Sequence, residues 1–104
     1  MDYLQLLGKK IRALRESLNM SQETLAELSN LSPRHIVNIE KGVSQPSYKT
    51  LNNIAAALDV AVPTLLDNDY YDSPDILKEK ILKKLNKLNE KNLRYLYIVA
   101  SKLD

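Results

Sequence analysis

The sequence contains no cysteine, so it can form neither a disulfide framework nor a thiolate metal site. Such a composition is typical of a reducing compartment, and we expect a cytoplasmic location. Phenylalanine and tryptophan are also absent, so the core must consist of leucine, isoleucine, valine and alanine, which suits packing of helix against helix. No apolar run approaches the ~20 residues that a membrane-spanning helix needs, and no signal segment opens the chain.

The same scarcities argue against an enzyme. The chain has one histidine, two glycines and no cysteine. These residues cannot assemble a zinc site, a nucleophile with its base, or a glycine-rich phosphate loop. We therefore expect no catalytic residues, no cofactor and no metal.

Charge is distributed unevenly, although the net charge is only +2. Residues 1–66 carry seven basic and six acidic side chains, residues 67–75 carry four acidic ones, and residues 76–104 carry eight basic and three acidic ones. The first segment is not a basic block, so any DNA affinity there must come from local placement of charge. The basic tail is either a solvated lysine-rich helix face, which we favour, or a direct DNA contact.

Residues 21–42, SQETLAELSNLSPRHIVNIEKG, predict two short helices joined by a tight turn. Ser21 is suited to cap the first helix, and Glu23 suits its positive end. Leu25 and Leu28 have helical spacing and are expected to face inward. Asn30 tolerates the left-handed conformation that a turn needs.

The second helix of this stretch has equally clear boundaries. Ser32 is placed to cap it, and Pro33 occupies the first helical position, where its missing N–H costs nothing. Ile36 and Ile39 supply a buried face, and Gly42 ends the helix. A break of about four residues between two helices is the turn length of a helix-turn-helix.

Further helices are predicted over residues 3–18, 48–58 and 63–66. The first should bury the apolar residues that recur along it at intervals of three and four: Leu4, Leu7, Ile11, Leu14 and Leu18. Ser47 should cap the next, which should bury Leu51, Ile54, Ala55 and Leu58. Asp59 should be left-handed, and Ala61 offers no side-chain cap, at a cost of roughly 1 kcal/mol.

Residues 67–74 are acidic and end in proline, which predicts a linker in which Tyr70 or Tyr71 packs on a neighbour. Residues 75–104 then predict two amphipathic helices forming a hairpin. A hairpin of this size cannot bury enough surface alone, so it either covers the first domain or, as we favour, forms a homodimer. The residues expected at the dimer contact are Leu77, Ile81, Leu85, Leu93, Leu96, Tyr97 and Ala100.

Several segments together resemble the Xre or Cro/cI-type helix-turn-helix regulators. The matching segments, in order, are IRALRESLNMSQETLAELSNLS, IVNIEKG, QPSYKTLNNIAAALDV and TLL. The resemblance implies an all-α fold, with a five-helix lambda-repressor-like DNA-binding domain over residues 1–66 followed by the two-helix hairpin. The appended hairpin resembles the SinR type, which implies a dimer and a protein or peptide antagonist.

The resemblance also assigns site residues, with the second helix of the motif lying in the major groove of double-stranded DNA. It places Ser32, Pro33, Arg34, His35 and Asn38 at the base edges. It places Ser21, Gln22, Lys41, Ser44 and Lys49 at backbone phosphates. Arg15 and Glu40 match a structural ion pair, whereas Lys9, Lys10 and Arg12 are expected either only to steer approach or to be solvated surface residues.

Two of these assignments leave alternatives open. Arg34 can pair bidentately with guanine, worth about 1–3 kcal/mol against a wrong base, or it can bind a phosphate. Asn38, one turn further along the same face, can read adenine or remain solvated. His35 lacks a partner ligand set and is expected to contact DNA.

The sequence thus predicts a dimeric, nucleoid-associated repressor that reads an inverted repeat in a bacterium or phage. A phage or mobile-element repressor and a restriction-modification controller are alternatives within this class. A protein-interaction or antitoxin-type module with the same fold is the alternative outside it, because fold does not fix function.

Overall fold

A computed structural model describes residues 2–103, and every regular element in that range is a helix, as predicted. The elements, in chain order, are α1 (Tyr3–Ser17), α2 (Gln22–Ser29), α3 (Pro33–Glu40), α4 (Tyr48–Ala57), α5 (Val62–Leu66), a 3-10 helix (Asp69–Tyr71), α6 (Pro74–Leu85) and α7 (Glu90–Ala100). The chain divides into two compact units, one ending at Asp67 and the other beginning at Asn68.

Polar caps set most of the helix starts. The side chains of Ser21, Ser32 and Ser47 each accept a hydrogen bond from a backbone N–H in the first turn of α2, α3 and α4. Ala61 makes no such bond at the start of α5, as the sequence indicated. Three residues other than glycine adopt positive φ where helices end: Asn19 (54°), Asn30 (58°) and Asp59 (57°).

The core of the first unit is aliphatic. Within this unit α2 contacts α3 and α4, while α1 contacts α3 and α5. The buried apolar residues are Leu7, Ile11, Leu25, Ala26, Ile36, Ile39, Leu51, Ile54, Ala55, Leu58 and Leu65. Burying these side chains is the main source of stability for a unit of this size.

Two predicted core residues are exposed instead. Leu18 is 50% exposed because it follows the last residue of α1. Leu28 is 59% exposed, and Ser29 completes the buried face of α2 in its place. The hydroxyl of Ser29 is buried without a hydrogen-bond partner in the described part of the chain.

The second unit contains no buried side chain among residues 68–103. Tyr70 and Tyr71 pack edge to face on each other, with ring centroids 4.8 Å apart; the expectation that one of them packs on a neighbouring part of the protein stays a prediction. The predicted linker is not a simple tether, because it contains the 3-10 helix and Lys80 of α6 binds both Asp69 and Asp72.

Candidate nucleic-acid interface

The first turn of α3 lies at the surface. Ser32 accepts a hydrogen bond from the backbone N–H of His35 at 3.1 Å, which fixes where the helix starts. Ser32, Pro33 and Arg34 are exposed, whereas His35 and Asn38 are partly buried. The five residues predicted to read bases therefore lie on or directly before α3, and all have some exposed surface.

The opposite side of α3 is fixed in the core. Ile36 and Ile39 are fully or almost fully buried. The turn before α3 is closed by the left-handed Asn30 and by a hydrogen bond from the N–H of Leu31 to the carbonyl of Ala26 at 2.8 Å. The exposed turn of α3 is consequently held by a rigid support rather than by a mobile loop.

A buried ion pair anchors the C-terminal end of α3 to α1. Arg15 Nε lies 2.7 Å from Glu40 Oε2, and Arg15 Nη2 lies 3.0 Å from Glu40 Oε1. Arg15 also donates to the carbonyl of Met20 at 2.8 Å. The hydrogen bond to Glu40 raises the pKa of Arg15, against the opposing effect of burial. Such a bidentate pair fixes both distance and orientation.

Glu40 has a second partner at the start of α2. Gln22 Nε2 donates to Glu40 Oε1 at 3.1 Å. The Glu40 carboxylate, paired with Arg15, can accept hydrogen bonds but cannot donate them. The atom of the Gln22 amide that faces it must therefore be the nitrogen. One amide hydrogen of Gln22 is used in this bond, and the other is left for a second acceptor.

Both glycines of the chain lie at the contact between α1 and α3. A Cβ added to Gly8 would lie 2.5 Å from the carbonyl oxygens of Ile39 and Glu40. Gly42 has a φ of +75°, and a Cβ there would lie 2.8 Å from the Cα of Gln5. Sequence reasoning missed Gly8. A glycine inside a predicted helix costs about 1 kcal/mol relative to alanine, which is the signal that pointed to a close approach.

The expectation that Lys10 only steers approach is wrong. Lys10 is 4% exposed, and its Nζ donates to the carbonyl and carboxylate oxygens of Asp67 at 3.0 and 2.9 Å. Because Asp67 directly follows α5, Lys10 attaches the end of the first unit to α1. Its role is structural.

The predicted phosphate-binding residues are only partly brought together. Gln22 and Lys41 line one surface groove, whereas Ser44 lies in the loop before α4 and Lys49 in its first turn. The Ser21 hydroxyl already accepts from the N–H of Thr24 and donates to the Thr24 hydroxyl, each at 3.0 Å.

The groove that contains Gln22 and Lys41 also extends over α1. We call it the α1–α3 groove; it encloses about 460 Å³ and is lined by Gln5, Lys9, Arg12, Gln22, Val37, Glu40 and Lys41. Arg12 is bound to Glu16 at 2.7 Å on the exposed side of α1. That hydrogen bond lowers the pKa of Glu16. The groove is thus lined mainly by basic and amide side chains.

Residues 2–103 hold no group of three or more His, Asp or Glu side chains placed to bind a metal ion. None of the described helices is both long and apolar enough to cross a membrane.

Comparison with protein families decides the class of the molecule. The helix-turn-helix family model matches residues 11–65, which include all of α2, α3 and α4, about the last half of α1 and most of α5. The chain belongs to this helix-turn-helix family, of the Xre or Cro/cI type. The family assignment made from the sequence is therefore confirmed, and members of this family are transcriptional regulators rather than enzymes.

Curated relatives of this helix-turn-helix protein are regulators from different settings. It is 38% identical over 66 residues to the control protein C.SmaI of Serratia marcescens, covering 64% of this chain and 79% of that protein. It is 33% identical over 63 residues to the immunity repressor of Bacillus phage phi105, covering 61% of this chain but 44% of that protein. It is 32% identical over 66 residues to SinR of Bacillus subtilis, covering 62% of this chain and 60% of SinR.

Solved structures extend the likeness to the second unit. The restriction-modification controller C.AhdI from Aeromonas hydrophila aligns with a TM-score of 0.59 and 35% identity, covering 60% of this chain and 94% of that chain. A complex of SinR with SinI aligns with a TM-score of 0.61 and 25% identity, covering 91% of this chain and 94% of that chain. This alignment therefore includes residues of the second unit, whereas the alignment with C.AhdI covers 60% of this chain.

Proposed function

We propose that the protein is a sequence-specific repressor that binds double-stranded DNA as a homodimer, with α3 in the major groove. The observation that carries this proposal is the division of α3 into an exposed first turn and a buried rear face. Arg34 lies on the exposed turn, whereas Ile36 and Ile39 are buried. A helix presented in this way can place its N-terminal residues against base edges in the major groove without disturbing the core.

Arg34 and Asn38 are the side chains that we assign to base reading. Arg34 is exposed, and Asn38 follows one turn later on the same side of α3. The planar fork of Arg34 matches the two major-groove acceptors of guanine, and an asparagine amide matches adenine. Ser32, Pro33 and His35 then contribute shape and backbone contacts at the helix start.

Selection of bound duplexes from a random pool tests this assignment. The wild-type protein should return a preferred motif, and Arg34→Lys should relax preference at one base pair per half-site while keeping the charge. Glu27→Gln, at an exposed position of α2, is the control and should leave the motif unchanged. If Arg34→Lys weakens binding to all duplexes equally, Arg34 binds a phosphate and its assignment fails.

The second unit supports the homodimer. It has no buried side chain among its described residues, yet it exposes large apolar ones, including Ile81, Leu93 and Tyr97. Two α-helices cannot remain stable in water with their apolar residues uncovered. We assign the cover to a second copy of this unit, in contacts that also involve Leu77, Leu85, Leu96 and Ala100. Two recognition helices would then read half-sites about 34 Å apart, or a multiple of that.

Two tyrosines of α7 give a matched test of the dimer. Tyr97 and Tyr95 are 75% and 68% exposed, and two residues of separation place them on nearly opposite sides of the helix. Tyr97→Glu should convert the dimer to a monomer in sedimentation experiments, and Tyr95→Glu should not. A wild-type protein that stays monomeric at micromolar concentration would refute the dimer.

Three functional settings fit the same mechanism. The relatives include a restriction-modification controller, a phage immunity repressor and SinR. The alignment with a SinR–SinI complex extends over 91% of this chain, which favours the SinR-like setting, in which the second unit also binds a protein antagonist. The protein would act on DNA in the bacterial cytoplasm.

Salt dependence distinguishes this function from that of an interaction module with the same fold. A DNA reader replaces cations on several phosphates, so its affinity falls steeply as salt increases. An antitoxin-type or adaptor module should show little binding to any duplex at either of two salt concentrations.

A further inference from the structure

We propose that the α1–α3 groove binds a DNA backbone phosphate through Lys9 and Arg12 of α1, in addition to Gln22 and Lys41. The proposal rests on the DNA-binding function above and extends its footprint to a helix outside the helix-turn-helix. The groove is lined by three cationic side chains and two amides, and these come from α1, α2 and the end of α3.

The one carboxylate in the groove does not cancel this positive charge. Glu40 is bound through both oxygens to Arg15, which lies next to the groove and supplies the neutralising charge. The remaining lining charges are those of Lys9, Arg12 and Lys41. The groove therefore favours an anion, and its walls concentrate the field of these cations more than a flat surface would.

Hydrogen-bond donors in the groove are available to a phosphate. The Gln22 amide nitrogen is oriented by Glu40 and retains one hydrogen for another acceptor. Arg12 is bound to Glu16 only by an exposed ion pair. Exposed pairs of this kind contribute little to stability, so a phosphate can replace Glu16 at little cost.

The position of the groove matches a backbone phosphate rather than a base. Lys41 follows the last residue of α3, eight residues after Pro33. At 1.5 Å per residue the two ends of the helix are about 12 Å apart, which is close to the width of about 12 Å of the major groove. When the first turn of α3 contacts base edges, its other end lies near the strand that borders the groove.

The test compares two double variants that lose the same charge. Lys9→Met/Arg12→Gln removes the α1 cations, and Lys83→Met/Lys84→Gln removes two exposed lysines of α6 that do not line the groove. Both should retain the wild-type melting temperature, because all four side chains are exposed. A third variant, Lys9→Arg/Arg12→Lys, keeps the charge.

The expected result is a change in salt dependence without a change in sequence preference. The slope of log affinity against log salt should decrease by about 0.9, the value for one phosphate, in Lys9→Met/Arg12→Gln only. In duplexes carrying single neutral methylphosphonate linkages, the wild type should lose affinity at one flanking linkage per half-site. The double variant should lose less affinity at that linkage than the wild type does, because only Gln22 and Lys41 remain to contact it.

Three outcomes would overturn the proposal. If both double variants change the slope of log affinity against log salt equally, the effect is one of net charge. If only the association rate changes, Lys9 and Arg12 steer approach to the DNA and do not bind a phosphate. If inorganic phosphate binds the groove in the full-length protein but no flanking linkage matters, the groove is a small-anion site. Failure of the wild type to select any duplex would instead refute the proposed function, so the two failures are distinguishable.

Discussion

Replacing Gly8 by alanine sets two physical effects of opposite sign against each other. Gly8 lies in the interior of α1, where alanine is intrinsically more favourable by about 1 kcal/mol. The added Cβ, however, would lie 2.5 Å from the backbone carbonyl oxygens of both Ile39 and Glu40. Ordinary contacts are about 1 Å longer, and backbone atoms cannot rotate away. Overpacking of this kind costs about 1–3 kcal/mol or more.

We therefore expect Gly8→Ala to destabilise the first unit by about 1–2 kcal/mol net, since the steric cost outweighs the gain in propensity. For a unit of this size, 1 kcal/mol corresponds to a decrease in melting temperature of about 4–8 °C. Ala56→Gly, at an exposed position of α4, calibrates the propensity effect in the same chain.

Thermal denaturation followed by circular dichroism, with urea titration as a second measurement, decides the sign. A Gly8→Ala protein that melts at or above the wild-type temperature would show that α1 and α3 do not approach as closely as described. The same variant should also bind DNA more weakly even below its melting temperature, because the displaced end of α3 carries Glu40 and Lys41.

Four further predictions follow from the burial and charges described. Arg15→Ala should destabilise the first unit by about 3–5 kcal/mol, because Glu40 is left buried and unpaired; a melting temperature within one degree of wild type would contradict this. Ser29→Ala should leave stability unchanged or increase it by about 1 kcal/mol, since the removed hydroxyl has no partner, and a clear loss in urea titration would reveal an unrecognised bond. Lys10→Met should destabilise the end of α5 and increase proteolysis after Asp67, whereas Lys9→Met, at an exposed position, should not. Hydrogen bonds to Asp72 and Asp69 raise the pKa of Lys80, and partial burial raises the pKa of Tyr71. Both groups therefore contribute stability at neutral pH that is lost as the pH rises above about 10. An alkaline titration in which Tyr71 ionises together with the other tyrosines would argue against this.

The boundaries of α3 could be predicted because they depend on local chemistry. Ser32, Pro33 and Asn30 act through hydrogen bonds and backbone angles within one turn, so their residue types alone indicate where α3 begins. Leu28 shows the limit of this reasoning. Its spacing from Leu25 fits a helical face, but the packing of α2 against α3 and α4 selects Ser29 for the interior.

Lys10 and Gly8 could not be placed from the sequence because their partners are distant along the chain. Asp67 is 57 residues away from Lys10, and Gly8 approaches a carbonyl more than thirty residues later. The local pattern around Lys10 gives no sign of its partner, and the glycine inside α1 indicates a close approach without identifying the residues that make it. The α1–α3 groove was missed for the same reason, since it needs α1, α2 and the end of α3 at once.

The buried rear face of α3 means that its outward side chains can be exchanged without loss of the scaffold. Ile36, Ile39 and Glu40 attach α3 to the rest of the first unit, whereas Arg34 and Asn38 are not part of the buried core. If Arg34 and Asn38 read bases as proposed, substitutions at these two positions should change the preferred duplex and leave the core intact. One small domain of this kind could then be directed to a different DNA sequence while its melting temperature stays constant.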